Sequence, residues 1–123
     1  MKHPVSPEFE RVLQALREIK ADGQKLYLVG GAVRDLLLGQ PVHDFDFVTA
    51  QGSRELAKAL RKKLAGASFA LDDERGFNRV ILDGGTPIER HIDIAEFVGD
   101  DLQADLRARD FTINAMALDI DNL

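Results

Sequence analysis

The sequence predicts a single mixed-sheet α/β domain, and three observations carry that expectation. Stretches with apolar residues at helical spacing interleave along the chain with short apolar runs of strand length. A glycine pair, Gly30-Gly31, stands between one such run and a helical stretch, where a strand would turn into a helix. Two further strand-like runs are joined by Asp72-Asp73-Glu74-Arg75-Gly76, as in a hairpin. At 123 residues the chain suits one domain, residues 1–123, with room for a real core. The expected sheet has about five strands with flanking helices.

Each element has its own warrant. Ser6 can cap a first helix, with Pro7 at the first helical position, where its missing N–H costs least. Phe9, Val12, Leu13, Leu16 and Ile19 then recur at helical spacing, and Gly23 is a stop signal, giving a helix over about 7–22. Residues 25–29 read as a buried strand, followed by the glycine pair and a short helix to Gly39. Pro41 ends that element, and residues 42–49 form the next strand. Ser53 begins a helix whose apolar stripe includes Leu56, Leu60 and Leu64. Strands follow at 67–71, 78–82 and 88–98, then a short helix at 101–107 and a closing stretch at 110–120.

Composition narrows the class. The net charge is −5, which argues against a chain-wide basic surface for gripping nucleic acid but leaves room for a local basic groove. Without cysteine there is neither a disulfide framework nor a thiolate zinc site. No apolar run reaches the length of a membrane span, and the N-terminus has no signal-peptide pattern, so a soluble, cytoplasmic domain with no membrane partner is expected.

The chemistry concentrates in two aspartates one residue apart. In a strand, residues two apart project from the same face, with α-carbons roughly 6.6 Å apart. Asp44 and Asp46 then share one face while Phe45 and Phe47 share the other and can bury. Two adjacent carboxylates repel unless something cationic lies between them, and a hard divalent cation bound through oxygen is the natural solution. Just upstream, Gly30 and Gly31 let a ligand approach the backbone, the following helix start favours an anion, and Arg34 can grip phosphate oxygens in a fork. The plainer alternative is a tight strand-to-helix turn with Arg34 paired to Asp35 or to a distant acid. A phosphate cradle beside a metal site is what phosphoryl transfer needs.

Two-metal centres usually need a third acid, and Asp93, in His91-Ile92-Asp93-Ile94-Ala95, is the candidate. A charge among such apolar neighbours calls for a cation or an arginine partner. Asp72, Asp73 and Glu74 read as a solvated hairpin tip. His3, His43 and His91 are scattered without metal-ligand spacing and read as surface or core residues, although His43 adjoins the site. Finally, Arg109, Asp110 and Asn114 form a polar cluster within an apolar stretch. It can serve triphosphate and ribose contacts, or simply pack and cap a turn.

The order Gly-Gly-x-Val-Arg-Asp, Leu-Leu-Gly and Asp-x-Asp resembles the first signature of class II tRNA nucleotidyltransferases (CCA-adding enzymes) and bacterial poly(A) polymerases. The run Arg109-Asp110-Phe111-Thr112-Ile113-Asn114-Ala115 is similar to their second signature. The resemblance covers about residues 25–117. It implies the nucleotidyltransferase fold and magnesium held by Asp44 and Asp46; with Asp93 as the expected third acid, these form the catalytic trio of a two-metal Mg2+ site. It further implies Gly30, Gly31 and Arg34 at the triphosphate, with Arg109, Asp110 and Asn114 along the nucleotide. The implied reaction moves a nucleoside monophosphate from CTP or ATP to an RNA 3′ hydroxyl, that of a tRNA, releasing pyrophosphate. The alternative is a metal- and nucleotide-binding module that is inactive without partner domains.

The chain departs from that pattern in places. Asp93 stands where relatives often carry glutamate, and Glu96-Phe97-Val98 replaces a Thr-Phe-Arg-like run. Ala108 replaces the first of two consecutive arginines. In the resembling family, a neck domain selects the base and helical body and tail domains hold the RNA. These 123 residues therefore read as the catalytic head alone, with neck, body and tail absent.

Overall fold

The computed structural model describes residues 7–40, 44–72, 76–96 and 117–122. Its first helix, α1 (Pro7–Ile19), buries the expected stripe of Phe9, Val12, Leu13 and Leu16, with Ala15 added. It ends at Ile19, short of 22, because the chain folds back on itself there. Gln24 bonds Ala21 through both its backbone N–H and its side-chain oxygen, and Gly23 takes a φ of +76° to make the turn.

The remaining elements follow as β1 (Leu26–Val29), α2 (Gly31–Leu37), β2 (Asp44–Thr49), α3 (Ser53–Leu64), β3 (Ala67–Asp72), β4 (Phe77–Leu82), β5 (Arg90–Glu96) and β6 (Ala117–Asp119). A 3-10 turn covers Ile120–Asn122. The sheet has six strands rather than about five, in the order β3-β4-β5-β2-β1-β6. The addition is β6, a three-residue strand too short to announce itself by alternation, which pairs antiparallel with β1. Strand β5 starts at Arg90 rather than 88, since turns closed by Thr86 N–H to Asp83 and Glu89 N–H to Thr86 occupy the preceding residues and leave Ile88 exposed. The expected helix at 101–107 lies outside the described residues.

Among the described residues only β2 and β5 pair in parallel; every other neighbouring pair is antiparallel. Period-2 alternation therefore divides the sheet into two unlike faces. One face carries Leu26, Leu28, Phe45, Phe47, Val80, Leu82, Ile92 and Ile94 into a core shared with all three helices. Phe9 of α1 stacks on Phe45 there, with ring centroids 5.0 Å apart. The other face has only a small apolar cluster of Val29, Val48 and Ala95, packed by Tyr27, Phe77 and Ala117. Its other positions include Asp44, Asp46, Arg79, His91 and Asp93 beside Ala67, Phe69 and Ile81, and among the described residues none of the three helices contributes to the apolar cluster on that side. The sheet thus has a packed side and a chemical side.

Candidate active site

Gly30, at the end of β1, has φ +73° and ψ −148°, a conformation essentially reserved for glycine. Its carbonyl accepts the Val33 N–H at 3.1 Å and the Arg34 N–H at 3.5 Å, which starts α2. A β-carbon added at Gly30 would lie 3.7 Å from Asp46 Oδ2, so the Asp46 carboxylate comes up against the glycine turn. Gly31 has no positive φ; a β-carbon there would lie 3.4 Å from Arg34 Nη2. The Arg34 guanidinium therefore folds back toward Gly31, and its Nε and Nη2 both donate to Asp35 Oδ1 at 3.2 Å. The ion pair with Asp35 is the plainer arrangement weighed from sequence. Both partners are partly exposed, so the pair is weak and can be exchanged for a better anion.

Strand β2 alternates as the sequence required: Phe45 and Phe47 are buried, Asp44 is exposed and Asp46 is half-buried. Parallel pairing with β5 sets Asp44 level with His91 and Asp46 level with Asp93. Adjacent strands lie roughly 4.8 Å apart, so three carboxylates occupy neighbouring positions on the chemical side of the sheet.

Asp93 meets the arginine partner its apolar setting called for. Arg79 of β4 grips it in a fork, Nε to Oδ1 at 2.8 Å and Nη2 to Oδ2 at 3.1 Å. The guanidinium holds its proton more firmly than usual, first through these hydrogen bonds. Burial opposes the effect, and the negative charges of Asp93, Asp44 and Asp46 add to it. Arg79 was missed in the sequence. The available signal was an arginine alternating with Phe77 and Ile81 in a short strand, but only the register reveals that it faces Asp93.

His91 belongs to this face as well, rather than being a scattered residue. Its Nε2 lies 2.7 Å from Glu89 Oε2. Glu89 is held below the ordinary glutamate range, chiefly by the Gly85 N–H and then by His91. His43, Asp73, Glu74 and the second-signature residues Arg109, Asp110 and Asn114 lie outside the described residues. Ala117, which follows them, pairs with Val29, the residue before Gly30.

Among the described residues no three acidic or imidazole groups gather tightly enough to hold a metal ion. Asp93 is turned to Arg79. The donor set nonetheless suits a hard divalent cation, since it consists of carboxylates at level positions on one face, and their summed charge already draws a guanidinium. A depression of about 1,090 Å³ at the opposite end of β1 and β2, bordered by Gln24, Lys25, Tyr27, Gln51 and Glu55, contains none of these acids. Among the described residues no helix is long and apolar enough to cross a membrane.

Comparison with known proteins gives consistent results. Residues 26–123 match the family described as the poly A polymerase head domain. A CC-adding tRNA nucleotidyltransferase of Geobacter sulfurreducens is 44% identical over 92 residues, covering 75% of this chain and 21% of that protein. A CCA-adding enzyme of Latilactobacillus sakei is 37% identical over 123 residues, covering 94% of this chain and 31% of its own length. The chain thus spans between a fifth and a third of these curated relatives. Among solved structures, a complex of a CCA-adding enzyme with ATP superposes with a TM-score of 0.80 at 34% identity, covering 94% of this chain and 28% of that one.

Proposed function

Because the chain belongs to the poly(A) polymerase head-domain family, we propose that it carries the nucleotidyl-transfer centre of a CCA-adding type of enzyme. The observation that supports this most is the meeting of Asp46 with the glycine turn, where a carboxylate from β2 reaches the backbone of Gly30. In this reading the 3′ oxygen of a tRNA attacks the α-phosphorus of CTP or ATP. The bond from that phosphorus to the bridging oxygen breaks, pyrophosphate leaves, and the hydroxyl proton is lost to a base or to water.

Each residue has a share. In this reading Arg34 exchanges Asp35 for phosphate oxygens, and the backbone at Gly30 and Gly31 meets the polyphosphate. Asp44 and Asp46, with Asp93, would hold Mg2+. When bound, such ions lower the pKa of the attacking hydroxyl and neutralise charge on the leaving group. Arg109, Asp110 and Asn114 are assigned to the nucleotide by the second signature alone.

The test is 3′-end extension of a tRNA lacking its terminal CCA, with CTP, ATP and Mg2+, run beside triphosphate binding. Extension by the protein that carries this domain, lost in Asp46→Ala while the fold persists, is the expected result. Binding and extension that survive Asp46→Ala would overturn the assignment.

A further inference from the structure

The proposed chemistry leaves Arg79 without a role, although it occupies the same cross-strand row as two of the acids. Pairing across β3, β4, β5 and β2 runs Phe69, Arg79, Asp93, Asp46. Both oxygens of Asp93 are engaged by the Arg79 fork, yet the arginine side chain keeps 33% of its surface exposed and Asp93 keeps 18%. Three carboxylates at neighbouring positions repel one another unless a positive charge stands among them. Arg79 is such a charge, close enough to Asp44 and Asp46 to feel both.

We propose that Arg79 is the resident counter-cation of the carboxylate face, neutralising Asp93 in the metal-free protein and competing with a divalent cation for that carboxylate. The proposal rests on the nucleotidyl-transfer reading, which places a cation beside Asp44 and Asp46. It makes Arg79 a positioning residue: it keeps Asp93 fixed, and it weakens cation binding until the carboxylate is released. A purely structural ion pair would stabilise the sheet and leave cation affinity untouched. The two roles therefore differ in sign at a measurable quantity.

Manganese(II) is a suitable probe, with its binding followed by electron paramagnetic resonance on the full chain. Removing one positive charge within one or two strand spacings of a divalent ion tightens its binding by roughly tenfold. Arg79→Gln is therefore expected to bind Mn2+ roughly tenfold more tightly, to unfold at a lower temperature without metal, and to gain more from its addition. Arg79→Lys keeps the charge but loses the fork, and should change in the same direction by less; it carries the test if the glutamine variant fails to fold. Unchanged or weaker Mn2+ binding in whichever variant folds, with wild-type binding abolished by Asp46→Ala, overturns the proposal alone. Wild-type binding that is indifferent to Asp46→Ala overturns it together with the functional reading beneath it.

Discussion

The two glycines that open α2 should respond to alanine with opposite signs, although they are neighbours. At Gly30 the backbone sits at φ +73° and ψ −148°, so a side chain there stores strain of about 1–3 kcal/mol. No steric term adds to this, because the nearest atom to the new methyl group is Asp46 Oδ2 at 3.7 Å, an ordinary contact. At Gly31 the backbone is helical and the nearest atom is Arg34 Nη2 at 3.4 Å, the end of a movable side chain. Alanine there should be neutral or stabilise by up to about 1 kcal/mol, the usual helical advantage over glycine. A domain of ordinary stability survives either change. Urea unfolding measures both, provided the slope stays constant and only the midpoint moves. Calorimetric titration with a nucleoside triphosphate and Mg2+ supplies the functional half, in which Gly30→Ala is expected to weaken binding because its methyl group faces the Asp46 carboxylate. Equal stability losses at the two positions, or no loss at Gly30, would refute this account of the turn.

Asp46→Ala should leave unfolding free energy within about 1 kcal/mol of wild type, since relief of like-charge repulsion is offset by lost attraction to Arg79; triphosphate binding dependent on Mg2+ should vanish in the same titration. Arg34→Ala is expected to weaken triphosphate binding by roughly 1.5–3 kcal/mol, the range for a hydrogen bond to a charged group, with little change in stability because its pair with Asp35 is partly exposed. Gly66→Ala should destabilise strongly by denaturant titration, because its methyl group would lie 2.6 Å from the Ile81 carbonyl oxygen, which is backbone and cannot step aside. Glu89 should titrate below the ordinary glutamate range when its carboxyl carbon is followed by NMR. Its folded value is depressed, so the small stabilisation it gives is present above the unfolded value and lost as pH falls through the folded one; Glu89→Gln should remove that acid dependence.

What the sequence disclosed was local. Alternation in Asp44-Phe45-Asp46-Phe47 announced both the strand and its two faces, because a period of two leaves no other way to bury both rings. The stripe of Leu56 and Leu60 announced α3, and Ser53 does begin it, but what holds Ser53 there was not legible. Gly52 takes the cap position in a left-handed conformation, and Ser53 is buried. Its hydroxyl lies 2.6 Å from the Gly76 carbonyl oxygen and accepts the Asn78 amide, while its N–H donates to Glu96. Those partners are 23 to 43 residues away, and short-range pattern cannot reach them. Asp93 illustrates the same boundary. Its need for a positive partner was legible from its apolar neighbours, whereas the identity of Arg79 depends on the β4–β5 register. The second signature falls on residues outside those described, so Arg109, Asp110 and Asn114 stand on resemblance alone.

The position of β6 has a consequence for how this protein is made. Val29 pairs with Ala117, and the Arg17 guanidinium donates to the carbonyl of Ile120, 103 residues further along. An emerging chain therefore presents β1 long before its outer neighbour exists. At synthesis rates of about 5–20 residues per second, roughly 5–20 s separate the two. Through that interval the β1 edge stays open for pairing with another strand, and it closes only when the ribosome delivers the last few residues described here. Slowing translation between the codons for Val29 and Ala117 should lengthen the dependence of this domain on holdase chaperones.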